Sequence, residues 1–221
     1  MGMVKLVAVT QPMIEGVKTA EDLIAYCARV SNPSNQLNLD TSAKLLRYCI
    51  KNSHWSIFEM VSMAVEINTT RDIARQILRH RSFNFQEFSQ RYADPTKELT
   101  FVAREARLQD TKNRQNSTMT TDKALNQEWE DRQRGVILRA QTTYEWAIKH
   151  GIAKEQARSV LPEGCTMSRL YMSGTVRSWG HYCQLRRANG TQLEHRQIAD
   201  QCWQIFTQQF PITAQAMEEK S

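Results

Sequence analysis

The sequence lacks the patterns that mark membrane, secreted and metal-binding proteins. None of its apolar runs approaches the roughly 18 residues that a membrane helix needs, and its first ten residues do not have the order of a signal peptide. The five cysteines are widely spaced without a C-x-x-C pair, and the five histidines form neither H-x-x-x-H nor H-E-x-x-H. We therefore expect a soluble cytoplasmic protein with reduced thiols, no membrane partner and no metal site.

Glycine and proline are also scarce, at 8 and 5 of the 221 residues, which excludes collagen-like and low-complexity classes. The hydrophobic fraction of 41% suffices for a full core. The predicted class is α+β and helix-rich, in a single domain over 1–221. Hydrophobic periodicity predicts strands near 4–9, 58–67 and 167–172, an extended segment over 82–103, a polar loop over 104–121, and helices near 20–29, 40–51, 122–150, 152–160 and 175–187.

Two further helix starts are predicted from threonines that precede an acidic residue by three positions. Thr69 with Asp72 and Thr191 with Glu194 have the spacing of a capping box, in which each side chain bonds the other residue's backbone N–H. The first pair predicts a helix beginning at Thr69, and the second predicts a final helix that Pro211 stops.

Positive charge is concentrated in two segments. Residues 71–107 hold 8 Lys/Arg against 5 Asp/Glu, and residues 154–196 hold 7 against 3, whereas the whole chain carries +6. Arginine supplies nearly all of these cations, and its guanidinium grips phosphate and carboxylate groups bidentately. A phosphorylated ligand is therefore expected, and nucleic acid remains an alternative.

Three polar faces could carry chemistry. The helix predicted from Thr69 would place cations and an amide on one face. This face would bind a ligand, or it would be an exposed basic helix end whose charges complement the helix dipole. An extended segment after it would align a carboxylate, a hydroxyl and a guanidinium, or merely form an outward polar strand face. Helix 175–187 would expose one polar face and hold Arg186 apart from it between two aromatic residues, unless that arginine only snorkels at a surface. The three sets are Arg75, Gln76, Arg79 and His80; Glu87, Ser89 and Arg91; and Arg177, His181 and Gln184.

The segment Arg79-His80-Arg81, followed by Ser89, resembles the R-H-R-x7-S signature of the flavin-dependent thymidylate synthases. Asn84, Gln86 and Gln90 replace residues common in that family, and Thr175 and His181 stand where asparagine is frequent. Together with three further blocks that resemble other family elements, this segment makes four ordered blocks over some 140 residues. The further blocks are His54-x-Ser56-x-Phe58-Glu59, Ala157-Arg158-x-x-Leu161-Pro162, and Arg177-Ser178 with Leu185-Arg186 and Gln192-x-Glu194.

The resemblance implies an enzyme that converts dUMP to dTMP. It implies methylenetetrahydrofolate as carbon donor, FAD as redox carrier and NADPH as reductant. It also implies an antiparallel sheet packed by helices, and a homotetramer whose active sites combine several subunits. A basic nucleic-acid-binding module is the alternative function.

Site residues are carried over from the family by matching position. Arg186 would activate the pyrimidine, and it would come with Arg158 from a neighbouring subunit. The residues implied to bind dUMP are Gln76, Arg79, Glu87, Ser89, Gln90, Arg91, Arg158 and Arg186. The residues implied to bind FAD are Ser56, Arg79, His80, Arg81, Glu87, Thr175, Arg177 and His181.

Overall fold

A computed structural model describes residues 2–220. Its strands are β1 (Met3–Val9), β2 (Ser62–Thr70), β3 (Asn84–Glu87), β4 (Arg107–Gln109), β5 (Ser117–Met119) and β6 (Met167–Thr175). Four of them form an antiparallel sheet in the order β1-β2-β6-β3, and the shorter β4 and β5 form a separate hairpin. Strand β2 pairs with β1 on one side and with β6, about a hundred residues later, on the other.

Helices make up most of the remaining structure. Short 3₁₀ turns cover Pro33–Asn35, Leu39–Thr41, Ser56–Glu59 and Arg158–Val160. The α-helices are α1 (Ala20–Ala28), α2 (Ser42–Lys51), α3 (Arg71–Ile77), α4 (Pro95–Glu98), α5 (Lys123–Lys149), α6 (Lys154–Ala157), α7 (Val176–Arg187), α8 (Leu193–Gln209) and α9 (Pro211–Lys220). The predicted helix-rich α+β class with an antiparallel sheet is confirmed.

The main core lies between one face of the sheet and the helices α1, α2, α7, α8 and α9. Alternate residues of β2 point into it, among them Met63 and Ile67, as expected for a strand with one buried face. Trp179 of α7 is fully buried and donates its indole N–H to the Met63 carbonyl at 2.9 Å. This bond satisfies the one polar group of the ring and fixes α7 against the sheet.

Helix α5 packs mainly outside this core. Its buried residues Ala140, Tyr144 and Ala147 form a small second cluster with the segment around α6. Asp122 caps the helix by accepting a hydrogen bond from the Leu125 amide at 3.0 Å, and Gly151, at φ 77°, provides the left-handed turn after its end. These were the predicted boundaries. Among residues 2–220, no helix has the combined length and apolarity that crossing a bilayer requires.

Both predicted capping boxes are wrong. Thr69 pairs with Ser168 inside the β2–β6 ladder, so α3 starts only at Arg71. The carboxylate of Asp72 instead binds Arg104 at 2.6 Å. Helix α8 begins after Gln192 without a side-chain cap.

Other predicted boundaries also need correction. The strand expected over 58–67 begins at Ser62, because residues Ser56–Glu59 form a 3₁₀ turn. Within 82–103, β3 and an isolated bridge from Phe101 to Thr166 are extended, whereas Pro95–Glu98 is the short helix α4. The loop expected over 104–121 contains the β4–β5 hairpin. Pro211 ends α8 as predicted but also begins α9, a position where its missing N–H costs nothing.

Candidate active site

The Arg79-His80-Arg81 segment lies just beyond α3, whose C-cap is Leu78. Tight turns follow, in which the His80 amide donates to the Ile77 carbonyl at 3.0 Å. The side chains of Arg79 and Arg81 are exposed while that of His80 is half-buried. The predicted polar helix face is therefore divided, with Arg75 and Gln76 on α3 and Arg79 and His80 on the turn after it.

His80 forms the meeting point between this turn and α7. Its Nε2 accepts a hydrogen bond from Arg186 Nε at 2.8 Å, and its ring lies edge-on to Tyr182 at 4.9 Å. Burial, followed by the charges of Arg186 and Arg79, lowers the pKa of His80 to about 4. The imidazole is neutral near pH 7, so it orients Arg186 without competing for charge.

A cleft of about 400 Å³ opens beside this pair. It is lined by His80, Tyr182, Arg177, His181 and Glu59, with Ser82 and Ser178 among the others. Arg177 forms an ion pair with Glu59, and burial with the neighbouring charges of Arg177 and Lys220 lowers the pKa of His181. Three residues implied to bind FAD thus share one concave, cationic and aromatic surface.

Two further residues implied to bind FAD lie within three positions, along the sequence, of residues that line this cleft. Thr175 caps α7 by accepting a hydrogen bond from the Ser178 amide at 3.3 Å. Ser56 is exposed at the start of the 3₁₀ turn that ends at Glu59. Trp55 precedes it and meets the His181 ring edge-on at 4.6 Å.

Glu87 ends β3 and is held from two directions. It accepts a hydrogen bond from the Ser168 hydroxyl at 2.8 Å and lies 3.5 Å from Arg71 Nη1. Arg71 is buried, and its Nε is also 3.6 Å from Glu163. The carboxylate of Glu87 is therefore fixed by partners on β6 and α3.

The shared face predicted for Glu87, Ser89 and Arg91 is not formed, because the strand stops at Glu87. Residues 89–93 turn instead, since the amides of Tyr92 and Ala93 both donate to the Ser89 carbonyl, at 3.1 and 3.0 Å. Ser89 and Arg91 are exposed. Gln90 is buried, and its Nε2 has no hydrogen-bond partner among the described residues.

Arg91 and Arg158 both lie beside α6, and neither is among the residues that line the cleft. Arg91 forms an ion pair with Glu155 at 3.3 Å, and Lys154 donates to the Tyr92 carbonyl at 2.8 Å. Arg158 follows directly after the helix that carries Glu155. Neither arginine lines the cleft within this one chain.

Several polar residues that the sequence did not single out are placed against the predicted ones. His195 is fully buried and bonds Gln76, Arg71 faces Glu87, and Tyr182 faces His80. The available signal for His195 was its position directly after the Gln192-x-Glu194 block. Over residues 2–220, no cluster of three or more His, Cys, Asp or Glu side chains could hold a metal ion.

Comparison with known proteins decides the family. The family model described as thymidylate synthase complementing protein matches residues 12–212. The chain belongs to this family. The probable flavin-dependent thymidylate synthase of Paramecium bursaria Chlorella virus 1 is 51% identical over 214 residues, 97% of this chain and 98% of that protein. The flavin-dependent thymidylate synthase of Synechocystis sp. is 50% identical over 218 residues, with 97% and 99% covered.

A solved structure gives the same result for the fold. The UMP/dUMP methylase PolB from Streptomyces cacaoi, bound with 5-Br dUMP, matches with a TM-score of 0.81 and 25% identity over 99% of this chain and 95% of that one. The predicted flavin-dependent thymidylate synthase family and the predicted enzyme are confirmed. The predicted FAD is a flavin, the class of cofactor that the names of both relatives give.

Proposed function

We propose that the protein makes dTMP by reductive methylation of dUMP, with methylenetetrahydrofolate as carbon donor and NADPH-reduced FAD as hydride source, as a cytoplasmic step of dTMP biosynthesis. The observation that carries the proposal is the family match over 12–212, together with a cleft lined by His80, whose Nε2 accepts a hydrogen bond from Arg186. The family match favours this enzyme over a nucleic-acid-binding module.

The electron balance of the reaction requires a separate reductant. A methylene group from the folate must gain one hydride to become the methyl of dTMP, while C5 of the uracil loses a proton. If NADPH provides that hydride, the folate leaves as tetrahydrofolate and NADP⁺ forms. If the folate provided it, dihydrofolate would form instead. The identity of the folate product therefore distinguishes the two routes.

The donor set around the cleft suits FAD. Arg177 and His181 line it, and the exposed Arg79 and Arg81 flank His80 in sequence. Guanidinium groups match the pyrophosphate of a dinucleotide, and aromatic edges match its rings. We propose that Ser56, Arg79, His80, Arg81, Glu87, Thr175, Arg177 and His181 hold FAD, which supplies two-electron redox chemistry when bound.

Arg186 is the residue we propose to activate the nucleotide. Attack from C5 of uracil requires electron density at that carbon, and negative charge on the pyrimidine is stabilised by a fixed guanidinium that does not itself lose a proton. The Nε–H of Arg186 is occupied by His80, so its terminal N–H groups remain for a substrate. His80 acts here by orienting the guanidinium.

The remaining dUMP ligands support an active site shared between subunits. We propose that dUMP is bound by Gln76, Arg79, Glu87, Ser89, Gln90, Arg91, Arg158 and Arg186. None of these eight residues lines the cleft of its own chain. We propose that Arg158 and Arg186 complete the nucleotide site of another copy in a homotetramer. The exposed Leu125, Trp129 and Val136 share one side of α5 and provide apolar surface for such assembly.

The test is a spectrum followed by a product assay. Protein purified with added FAD should be yellow, and its visible flavin band should bleach on anaerobic addition of NADPH. With dUMP and methylenetetrahydrofolate present, dTMP and tetrahydrofolate should form in equal amounts. NADPH oxidation without dTMP would refute the methylation, and dihydrofolate in place of tetrahydrofolate would refute the hydride source.

A further inference from the structure

A chain of hydrogen bonds runs beneath the cleft from α7 to the start of α8. Tyr182 and His195 meet with hydroxyl oxygen and Nε2 3.1 Å apart, and His195 Nδ1 lies 3.3 Å from Gln76 Oε1. Gln76 Nε2 donates to Gln192 Oε1 at 2.8 Å, and Gln192 Nε2 donates to Glu194 Oε2 at 2.9 Å. Four side chains from three helices and the residue before α8 are thereby linked to one carboxylate.

The carboxylate of Glu194 sets the direction of every bond in this chain. A carboxylate can only accept, and its other oxygen already binds Arg107, so Gln192 must present its NH₂ group to it. The oxygen of Gln192 then faces Gln76, which must also present its NH₂ group. The oxygen of Gln76 in turn faces His195, so His195 must carry its proton on Nδ1.

The far end of the chain agrees with this direction. With Nδ1 protonated and the ring neutral, Nε2 of His195 is an acceptor, and the Tyr182 hydroxyl donates to it. Burial lowers the pKa of His195 to about 3, with the nearby charge of Arg186 and His80 adding to the effect, and burial raises that of Tyr182 well above its ordinary value. Both groups therefore keep these protonation states over the whole physiological range.

We propose that His195, as the neutral Nδ1–H tautomer, is a positioning residue that fixes the side-chain amide of Gln76 for binding a pyrimidine nucleotide. This inference rests on the proposed function, in which Gln76 binds dUMP. A glutamine amide is nearly symmetrical in shape, so only its partners determine which end is donor and which is acceptor. Gln192 determines which end of the amide faces it, and His195 holds the other end in place by donating to the Gln76 oxygen, so that together they exclude the flipped orientation.

The consequence for a nucleotide is a fixed recognition pattern. The nitrogen and the oxygen of the Gln76 amide each make one hydrogen bond to a neighbour, Gln192 and His195 respectively. One N–H and one oxygen lone pair are therefore left for a ligand. The edge of a uracil base presents a donor between two acceptors, so a flipped amide would oppose donor to donor and acceptor to acceptor. Mispaired polar groups cost far more than a lost contact.

The tautomer can be measured directly. In ¹⁵N-histidine-labelled, FAD-loaded protein at pH 7, the Nδ1 and Nε2 chemical shifts of His195 should be those of a protonated Nδ1 and an unprotonated Nε2. The signal is assigned by its absence in His195→Asn. A protonated Nε2 would overturn the proposal, and this measurement does not depend on whether the protein makes dTMP.

Two substitutions separate positioning from packing. Asparagine places its amide nitrogen near the Nδ1 position and can still donate to Gln76, whereas glutamine reaches the Nε2 position and keeps only the Tyr182 contact. We expect dUMP dissociation constants, measured by calorimetry on FAD-loaded protein, to be within about threefold of the parent for His195→Asn and about tenfold weaker for His195→Gln. The exposed His150, at the end of α5, provides the matched control as His150→Asn.

The pattern of results decides between the alternatives. Equal weakening by both His195 variants would show that only packing is lost, and no weakening by either would show that the amide does not need fixing; both results overturn the proposal. Retention of FAD by both variants with the expected ranking supports it. Failure of the parent protein to form dTMP while the ranking holds would refute the proposed function alone.

Discussion

Arg186→Lys tests whether the guanidinium shape, rather than its charge, promotes methylation. In the structure, Arg186 Nε donates to His80 at 2.8 Å, which leaves the two terminal nitrogens for a substrate. Lysine keeps the charge but concentrates its donors on one nitrogen, which cannot bond His80 and present a planar fork at once. Losing one preorganised donor to a developing negative charge costs about 3 kcal/mol, or roughly a hundredfold in kcat.

The assay for Arg186→Lys is dTMP formation at saturating dUMP and folate, with flavin content measured from the visible spectrum. Arg187→Lys is the matched control, because Arg187 pairs with Asp200 at 3.1 Å and lies over the Trp203 ring, away from the cleft. We expect full flavin content in both variants and a rate within about twofold of the parent for the control. A kcat for Arg186→Lys within threefold of the parent would refute the role of the fork.

Three other perturbations test the site and the fold. Arg81→Ala should weaken FAD binding more than dUMP binding, and the opposite ranking in calorimetry would show that the two sets of ligands are exchanged. Gly174→Ala should destabilise by about 1 to 3 kcal/mol in urea unfolding, because its Cβ would lie 2.4 Å from the buried Phe83 ring; Gly135→Ala, in open space on α5, should stabilise by up to about 1 kcal/mol. Because the folded pKa of His195, about 3, lies below the ordinary 6.5, unfolding takes up a proton below pH 6.5. The contribution of His195 to the unfolding free energy should thus fall by about 1.4 kcal/mol per unit between pH 6 and 4, and His195→Asn should remove this part of the pH dependence.

Local sequence signals predicted the ends of an element correctly where the interacting groups lie within a few residues of each other. Asp122 and Gly151 mark both ends of α5, and Thr175 marks the start of α7, because each acts on backbone groups no more than a turn away. The sequence likewise showed the alternation of buried and exposed residues in β2 and the two arginine-rich segments. The R-H-R segment and its companion blocks were enough to predict the family.

In both predicted capping boxes the acid binds a distant arginine. Asp72 is bound by Arg104, 32 residues away, and Glu194 by Arg107, 87 residues away. At the first box Thr69 is also buried within the β2–β6 ladder, so it cannot cap α3. The same spacing does form a capping box at Thr19 and Asp22, where no arginine competes for the acid.

The sequence by itself determined the long helices α5 and α7, the positive segments and the residues from which a nucleotide site would be built. Only the tertiary structure decided which of them meet: β6 enters the sheet between β2 and β3, and His80 contacts Arg186 across 106 residues. It also placed Arg91 outside the cleft and His195 behind Gln76. Such contacts depend on strand register and helix docking, which are set by the burial of the whole core. Local sequence periodicity therefore does not show which of these residues contact each other.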